Sequence, residues 1–147
     1  MKNVYHKLIQ AEHALTLDTD SPEQALSDIV RFMWDYYQKN PEFIILLNTE
    51  NLLKGKHLKN IGSSLGEFLS PALSVLQGVV RKGIETKAFR ADVDTVDLYM
   101  SIMGLGYFYL SNQYTLSAFL SRDLMSAAQR KQWGNSIVQT VLASVKA

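Results

Sequence analysis

Residues 94–112 read DTVDLYMSIMGLGYFYLSN, and this stretch decides the fold class. Asp94 is a helix-capping residue, because its carboxylate can accept hydrogen bonds from the free N–H groups of a first turn. Asp97, three positions on, places negative charge at the positive end of the helix dipole. Beyond it Leu98, Tyr99, Met100, Ile102, Met103, Leu105, Tyr107, Phe108, Tyr109 and Leu110 cover almost every side of a helix over about 95–111. A helix apolar all round must be central or must face two partners.

The flanking sequence is helical in period as well. Leu26, Ile29, Val30, Met33, Trp34 and Tyr37 recur on one face of a helix over about 22–39, opened by Ser21 as cap and Pro22 at the first helical position. Asn40-Pro41 ends it, since a residue before proline avoids the helical region. Pro41 then opens a helix over about 41–54 with Phe43, Ile44, Leu46, Leu47, Leu52 and Leu53 as its apolar side and Gly55 as its close. Residues 56–62 are polar and read as a connection. The pattern resumes over about 64–87, where Pro71 implies either a kink or a helix that begins there with Ser70 as cap. Phe89 to Val93 is a connector, and a last helix spans about 124–145 with Trp133, Ile137, Val138, Val141 and Val145. No segment alternates with period two long enough for a strand. The expected fold is all-α, with about six helices.

Composition narrows the class. The 147 residues suit one domain and bury a sizeable core. Without cysteine there is no disulfide, thiolate metal site or cysteine nucleophile. Fifteen Lys and Arg against fourteen Asp and Glu give a net charge of +1, which argues against nucleic-acid binding by these residues. No apolar run is long enough to span a membrane, and Met1 to His6 lack the apolar core of a secretory signal, so a cytoplasmic protein is expected. Charge is uneven: residues 1–50 carry four basic and eight acidic side chains, and residues 51–90 carry seven and two. No long run of like charge appears, so this is first a solvated surface.

Chemistry has no foothold. His6, His13 and His57 stand in neither Glu-x-x-His nor His-Glu-x-x-His spacing, so no metal site is expected. Gly62-Ser63-Ser64-Leu65-Gly66 has the bare Gly-x-Ser-x-Gly spacing, but every histidine lies in a polar terminal or loop context, and the stretch lacks the lysine of a phosphate loop. Neither catalytic residues nor a cofactor are expected, and the protein reads as a non-enzyme. The aromatics say more. Of six Phe, two Trp and seven Tyr, eight cluster within Phe32 to Tyr37 and Tyr99 to Tyr109, with Met33, Met100 and Met103 among them. Such a mixture builds ordinary core, or lines a cavity for an apolar or aromatic ligand. Glu50 and Asn51, on an otherwise apolar helix, supply the polar contact of such a cavity or else face water. Gly104, Gly106 and Gly134 suggest a tight helix–helix seam, and a homodimer pairing the last two long helices would bury the surplus apolar surface.

The chain resembles the C-terminal ligand-binding and dimerisation domain of TetR-family transcriptional repressors. The resemblance rests on Asn40-Pro41-Glu42-Phe43 leading to Glu50-Asn51-Leu52, and on Gly83 followed by Phe89-Arg90-Ala91-Asp92-Val93-Asp94. It continues through Asp97-Leu98-Tyr99 and Gly104 to Phe108-Tyr109-Leu110-Ser111-Asn112 and Thr115-Leu116-Ser117. It implies one domain over 1–147, with residues 3–16 resembling the helix that links it to an N-terminal helix-turn-helix unit. That unit has no counterpart here, so DNA contact is expected only through it. The resemblance also implies an apolar or aromatic effector held by Phe32, Tyr36, Leu47, Asn51, Phe68, Met103 and Tyr107, with Tyr36, Asn51 and Tyr107 as polar anchors. It implies a dimer seam of Ile102, Gly106, Tyr109, Trp133, Ile137 and Val141. The competing expectation is a stand-alone helical dimer that serves as an interaction module without a ligand.

Overall fold

A computed structural model describes residues 2–14, 20–61 and 64–147. Among these residues the chain is all-α, with eight helices: α1 (Lys2–Ala14), α2 (Pro22–Lys39), α3 (Pro41–Leu52), α4 (Lys56–Ile61), α5 (Ser64–Glu85), α6 (Thr95–Ser111), α7 (Gln113–Leu120) and α8 (Ala127–Val145). Of the expected linker helix, the part after Ala14 lies outside the described residues.

Local chemistry sets the boundaries. The Ser21 hydroxyl accepts from the Gln24 backbone N–H at 3.2 Å, and Asp94 accepts from the Asp97 N–H at 2.9 Å. These are the caps the sequence predicts for α2 and α6. Asn40 closes α2 twice, donating its backbone N–H at 3.0 Å and its side-chain amide at 2.9 Å to the Tyr36 carbonyl. α5 runs unbroken through Pro71, so that proline does not start the helix. The final helix begins later than expected, at Ala127, because the Ser126 hydroxyl caps it by accepting from the Gln129 N–H.

Two helices exceed the expected count. α7 follows α6 after the single residue Asn112, whose carbonyl accepts the Leu116 N–H at 2.9 Å. α4 occupies the polar stretch read as a connection. Its sequence has little apolar periodicity, and it owes its start to a residue outside it. Glu50, only 3% exposed, accepts the His57 backbone N–H at 3.0 Å and the Leu58 N–H at 3.3 Å. Lys54 and Gly55, both in the left-handed region, turn the chain so that this carboxylate meets the new helix.

α2 is the central element and packs against α5, α6 and α8. Leu26, Val30 and Tyr37 on its inward face are fully buried. Trp34 reaches between two glycines. A Cβ built on Gly134 of α8 would lie 2.8 Å from the indole, and one on Gly106 of α6 would lie 3.2 Å from the Tyr37 ring and 3.5 Å from Trp34. The indole is pinned, donating to the Arg130 carbonyl at 3.2 Å and meeting the Tyr109 ring edge-on at 5.3 Å. Gly83 plays a like part at the end of α5, where an added Cβ would fall inside the ring of buried Phe89. The Phe89 N–H donates to the Gly83 carbonyl at 2.9 Å, and Arg90 then donates to the Val145 carbonyl at 2.8 Å, tying the connector to the end of α8.

A Gly134→Ala methyl would press on the Trp34 indole, which is held in place by its hydrogen bond to the Arg130 carbonyl and its contact with Tyr109. It is expected to lower unfolding stability by about 1–3 kcal/mol. Gly78→Ala, on the exposed face of α5 with nothing within 4 Å of the new methyl, should instead add up to about 1 kcal/mol. Denaturant unfolding of the two variants checks the contrast.

Candidate functional site

The expected effector residues divide when placed in the fold. Phe32 and Tyr36 lie on α2, with ring centroids 6.1 Å apart, and Tyr36 meets Phe43 of α3 edge-on at 6.1 Å. Leu47 on α3 and Met103 and Tyr107 on α6 are half-buried against the same core. α2, α3 and α6 pack on one another as a three-helix wall; contacts across it include Tyr36–Phe43 and Tyr107–Asn48, and none of the clefts described below is lined by the expected effector residues. Phe68 lies outside the described side chains.

Asn51 departs from the expectation. It is exposed, and its amide donates to the Leu47 carbonyl of its own helix at 2.9 Å. α3 ends at Leu52, so Asn51 sits in its last turn. The polar partner in the wall is Asn48, whose side-chain oxygen accepts the Tyr107 hydroxyl. The signal for it was present: Asn48 stands four residues after buried Ile44, on the inward register of the helix. Glu50, the other candidate polar contact, is committed to capping α4, with its carboxylate also 3.2 Å from His57 Nδ1.

The expected dimer residues lie inside the protomer. Ile102 is 2% exposed and Ile137 and Val141 are each 1% exposed, Gly106 faces Tyr37, and Tyr109 is buried. Trp133 is half-buried, stacked on Tyr109 at 5.9 Å and donating its indole N–H to the Leu105 carbonyl at 3.1 Å. These groups join α6 and α8 within one chain, while Val141 in one case and Tyr109 and Trp133 in the other also line surface grooves of α6 and α8. The outward face of α6 carries Val96, Met100, Gly104 and Phe108 instead, four residues apart, with Met100 64% and Phe108 56% exposed. Beside this stripe run two grooves. One, of about 370 Å³, is lined by Met100, Gly104, Leu105, Thr140 and Ser144. The other, of about 360 Å³, is lined by Phe108, Leu116, Leu120, Leu124 and Trp133. α7 extends the apolar surface with Tyr114, Phe119 and Leu120, all exposed.

Residues 22–141 match the family described as tetracyclin repressor-like, C-terminal domain. The chain belongs to this TetR-type family. It is 37% identical over 146 residues to the HTH-type transcriptional repressor NicS of Pseudomonas putida, an overlap of 99% of this chain and 68% of that protein. No solved structure matches it. The TetR-type domain is a regulatory unit. Among the described residues no three His, Asp or Glu side chains converge as a metal site would need, and no helix is long and apolar enough to cross a membrane.

Tyr109 shows how firmly α6 is held in this TetR-type domain. Its hydroxyl donates to the Leu124 carbonyl at 2.6 Å. Burial raises its pKa above the ordinary 10.0; the Arg130 cation opposes the rise and the Asp123 carboxylate reinforces it. A phenol whose folded pKa exceeds its unfolded value stabilises the fold fully below the unfolded value and loses that contribution as pH rises through the folded one. Stability should therefore decline above pH 10, and Tyr109→Phe should flatten that alkaline decline while costing about 0.5–1.5 kcal/mol at neutral pH. Denaturant unfolding at pH 8, 10 and 11 reads both effects.

Proposed function

We propose that this chain is the effector-sensing and dimerisation domain of a TetR-type transcriptional repressor. It binds a small, largely apolar or aromatic ligand against the wall of α2, α3 and α6. It pairs with a second copy through the outward faces of α6 and α8. DNA recognition belongs to a helix-turn-helix unit joined through α1, as the name of the NicS relative indicates for that protein, and the repressor acts in the cytoplasm. The observation that carries this reading is the two-sided character of α6. One side offers the Tyr107–Asn48 pair among half-buried Phe32, Leu47 and Met103; the other offers the exposed stripe Val96, Met100, Gly104 and Phe108.

Each side suits its task. Rings and a thioether supply apolar area to a ligand, while one phenol–amide pair gives it orientation. On the outer side Gly104 has open space where a Cβ would stand, which lets a partner helix come close between Met100 and Phe108. Met100→Glu combined with Phe108→Glu places two charges on this face without touching the core. Sedimentation equilibrium at about 10 μM should find a dimer for the parent chain and a monomer of unchanged helicity for the variant. A monomeric parent chain would overturn the dimer. A thermal-shift screen with aromatic and amphipathic compounds tests the wall, since a ligand at a hundredfold excess over its Kd adds about 2.7 kcal/mol. Asn48→Leu should abolish the response to any hit; a response that survives it would place the ligand elsewhere.

A further inference from the structure

A further cleft lies away from both surfaces. It opens between α2 and α8 and has a volume of about 470 Å³, within the range of small-molecule sites. Its lining is polar and unbalanced: Arg31, Arg130 and Lys131 face one carboxylate, Asp35, with Gln38 and Asn135 as neutral hydrogen-bonding groups.

Two of the three cations, Arg31 and Lys131, are exposed, and Arg130 is half-buried. Among the described residues none of the three lies within 4.0 Å of a carboxylate oxygen. Arg31 donates to the Asn135 side-chain oxygen at a long 3.4 Å. Arg130 is anchored by one nitrogen, Nη2, which donates to Gln113 at 2.9 Å; its Nε is buried without a hydrogen-bond partner. A buried donor of a charged group left unpaired carries a substantial desolvation cost. Arg130 and Lys131 stand in the second turn of α8, whose first turn contains no acidic side chain.

We propose that this cleft binds a small organic dianion, a phosphate ester or a dicarboxylate, whose anionic oxygens are gripped by Arg31, Arg130 and Lys131. The excess of cations over carboxylates matches a double charge, and guanidinium groups pair well with the planar or tripodal oxygens of both classes. Gly134 and Trp34 form part of the wall, so the occupant rests against the contact that joins α2 to α8.

Amide NMR titration of the chain with inorganic phosphate, pyrophosphate and succinate at constant ionic strength tests the site and separates the two sources. Saturable shifts confined to residues 31–38 and 127–135 are expected from at least one probe; saturation by the phosphates alone assigns a phosphate ester, and by succinate alone a dicarboxylate. Arg31→Gln and Lys131→Gln should each weaken binding about tenfold, as loss of one charge-assisted contact does. Lys82→Gln, exposed on α5, should leave it unchanged. Lys131 makes no hydrogen bond within the described structure, so its variant keeps the test valid if Arg31→Gln unfolds the chain. Absence of saturation with all three probes, or saturation that Lys131→Gln leaves intact, overturns the proposal.

Discussion

The seat of Trp34 is the contact on which the rest of the structure depends. One side chain from α2 touches α6 through Gly106, α8 through Gly134 and the loop before α8 through Tyr109, whose hydroxyl holds Leu124. An indole buries more apolar area than any other side chain, and its N–H must find a partner when buried. Here the partner is the Arg130 carbonyl, in the second turn of α8. That carbonyl and Gly134 are four residues apart, on one face of the helix, so glycine and hydrogen bond fix the same register. α6 and α8 are thereby locked to α2 with little freedom to slide. Close-packed interiors resist such sliding because even one methylene displaces neighbours.

With α2 as hub, α6 is left to divide its apolar surface. Ile102, Gly106, Tyr109 and Leu110 turn inward, Met103 and Tyr107 lie at the half-buried edge toward α3, and Met100 and Phe108 turn out. The outward set is too large for a helix with water as its permanent neighbour. Monomeric proteins rarely keep contiguous apolar patches of this kind without a use for them.

Much of this was legible in the sequence, and what was not has an identifiable cause. The caps Ser21 and Asp94, the breaks at Asn40-Pro41 and the period of α2 are local signals, each set by neighbours within a turn. The family, too, was recognisable from Gly83 and the Phe89 to Asp94 run; the structure supplies its reason, since Phe89 fits only where Gly83 has no side chain. The division of α6 was not legible. Where every side is apolar, hydropathy contains no direction, so it does not separate the face that holds Ile102 and Tyr109 from the one that bears Met100 and Phe108. α4 and the burial of Glu50 were hidden for a different reason. A carboxylate six residues upstream caps that helix, so its stability is written outside its own sequence. Asn51 spends its amide on the Leu47 carbonyl of its own helix, whereas Asn48, three residues earlier and half-buried, accepts the Tyr107 hydroxyl. Helix ends are the least local property of a helix, and a turn of error there moves a polar anchor out of the wall.

Adjacent residues on α6 give the proposed sensor its means of transmission. Tyr107 reaches Asn48 on α3, and Phe108, the next residue, stands on the outward face. A helix is stiff over one turn, so a ligand that displaces the Tyr107 hydroxyl cannot shift or rotate that segment without moving Phe108. The lock around Trp34 means that α2, α6 and α8 respond together, and the compliant partner is α3, which meets the hub through Phe43 and Tyr37 and is held at its far end to α4 by the Glu50 carboxylate. A ligand can bias such an assembly only by binding its two arrangements with different affinity, and coupling energies of about 1–3 kcal/mol are usual. One charge-neutral hydrogen bond made in one arrangement and lost in the other, about 0.5–1.5 kcal/mol, already falls within that span. The Tyr107–Asn48 bond is therefore of the right strength to be the contact a ligand trades against.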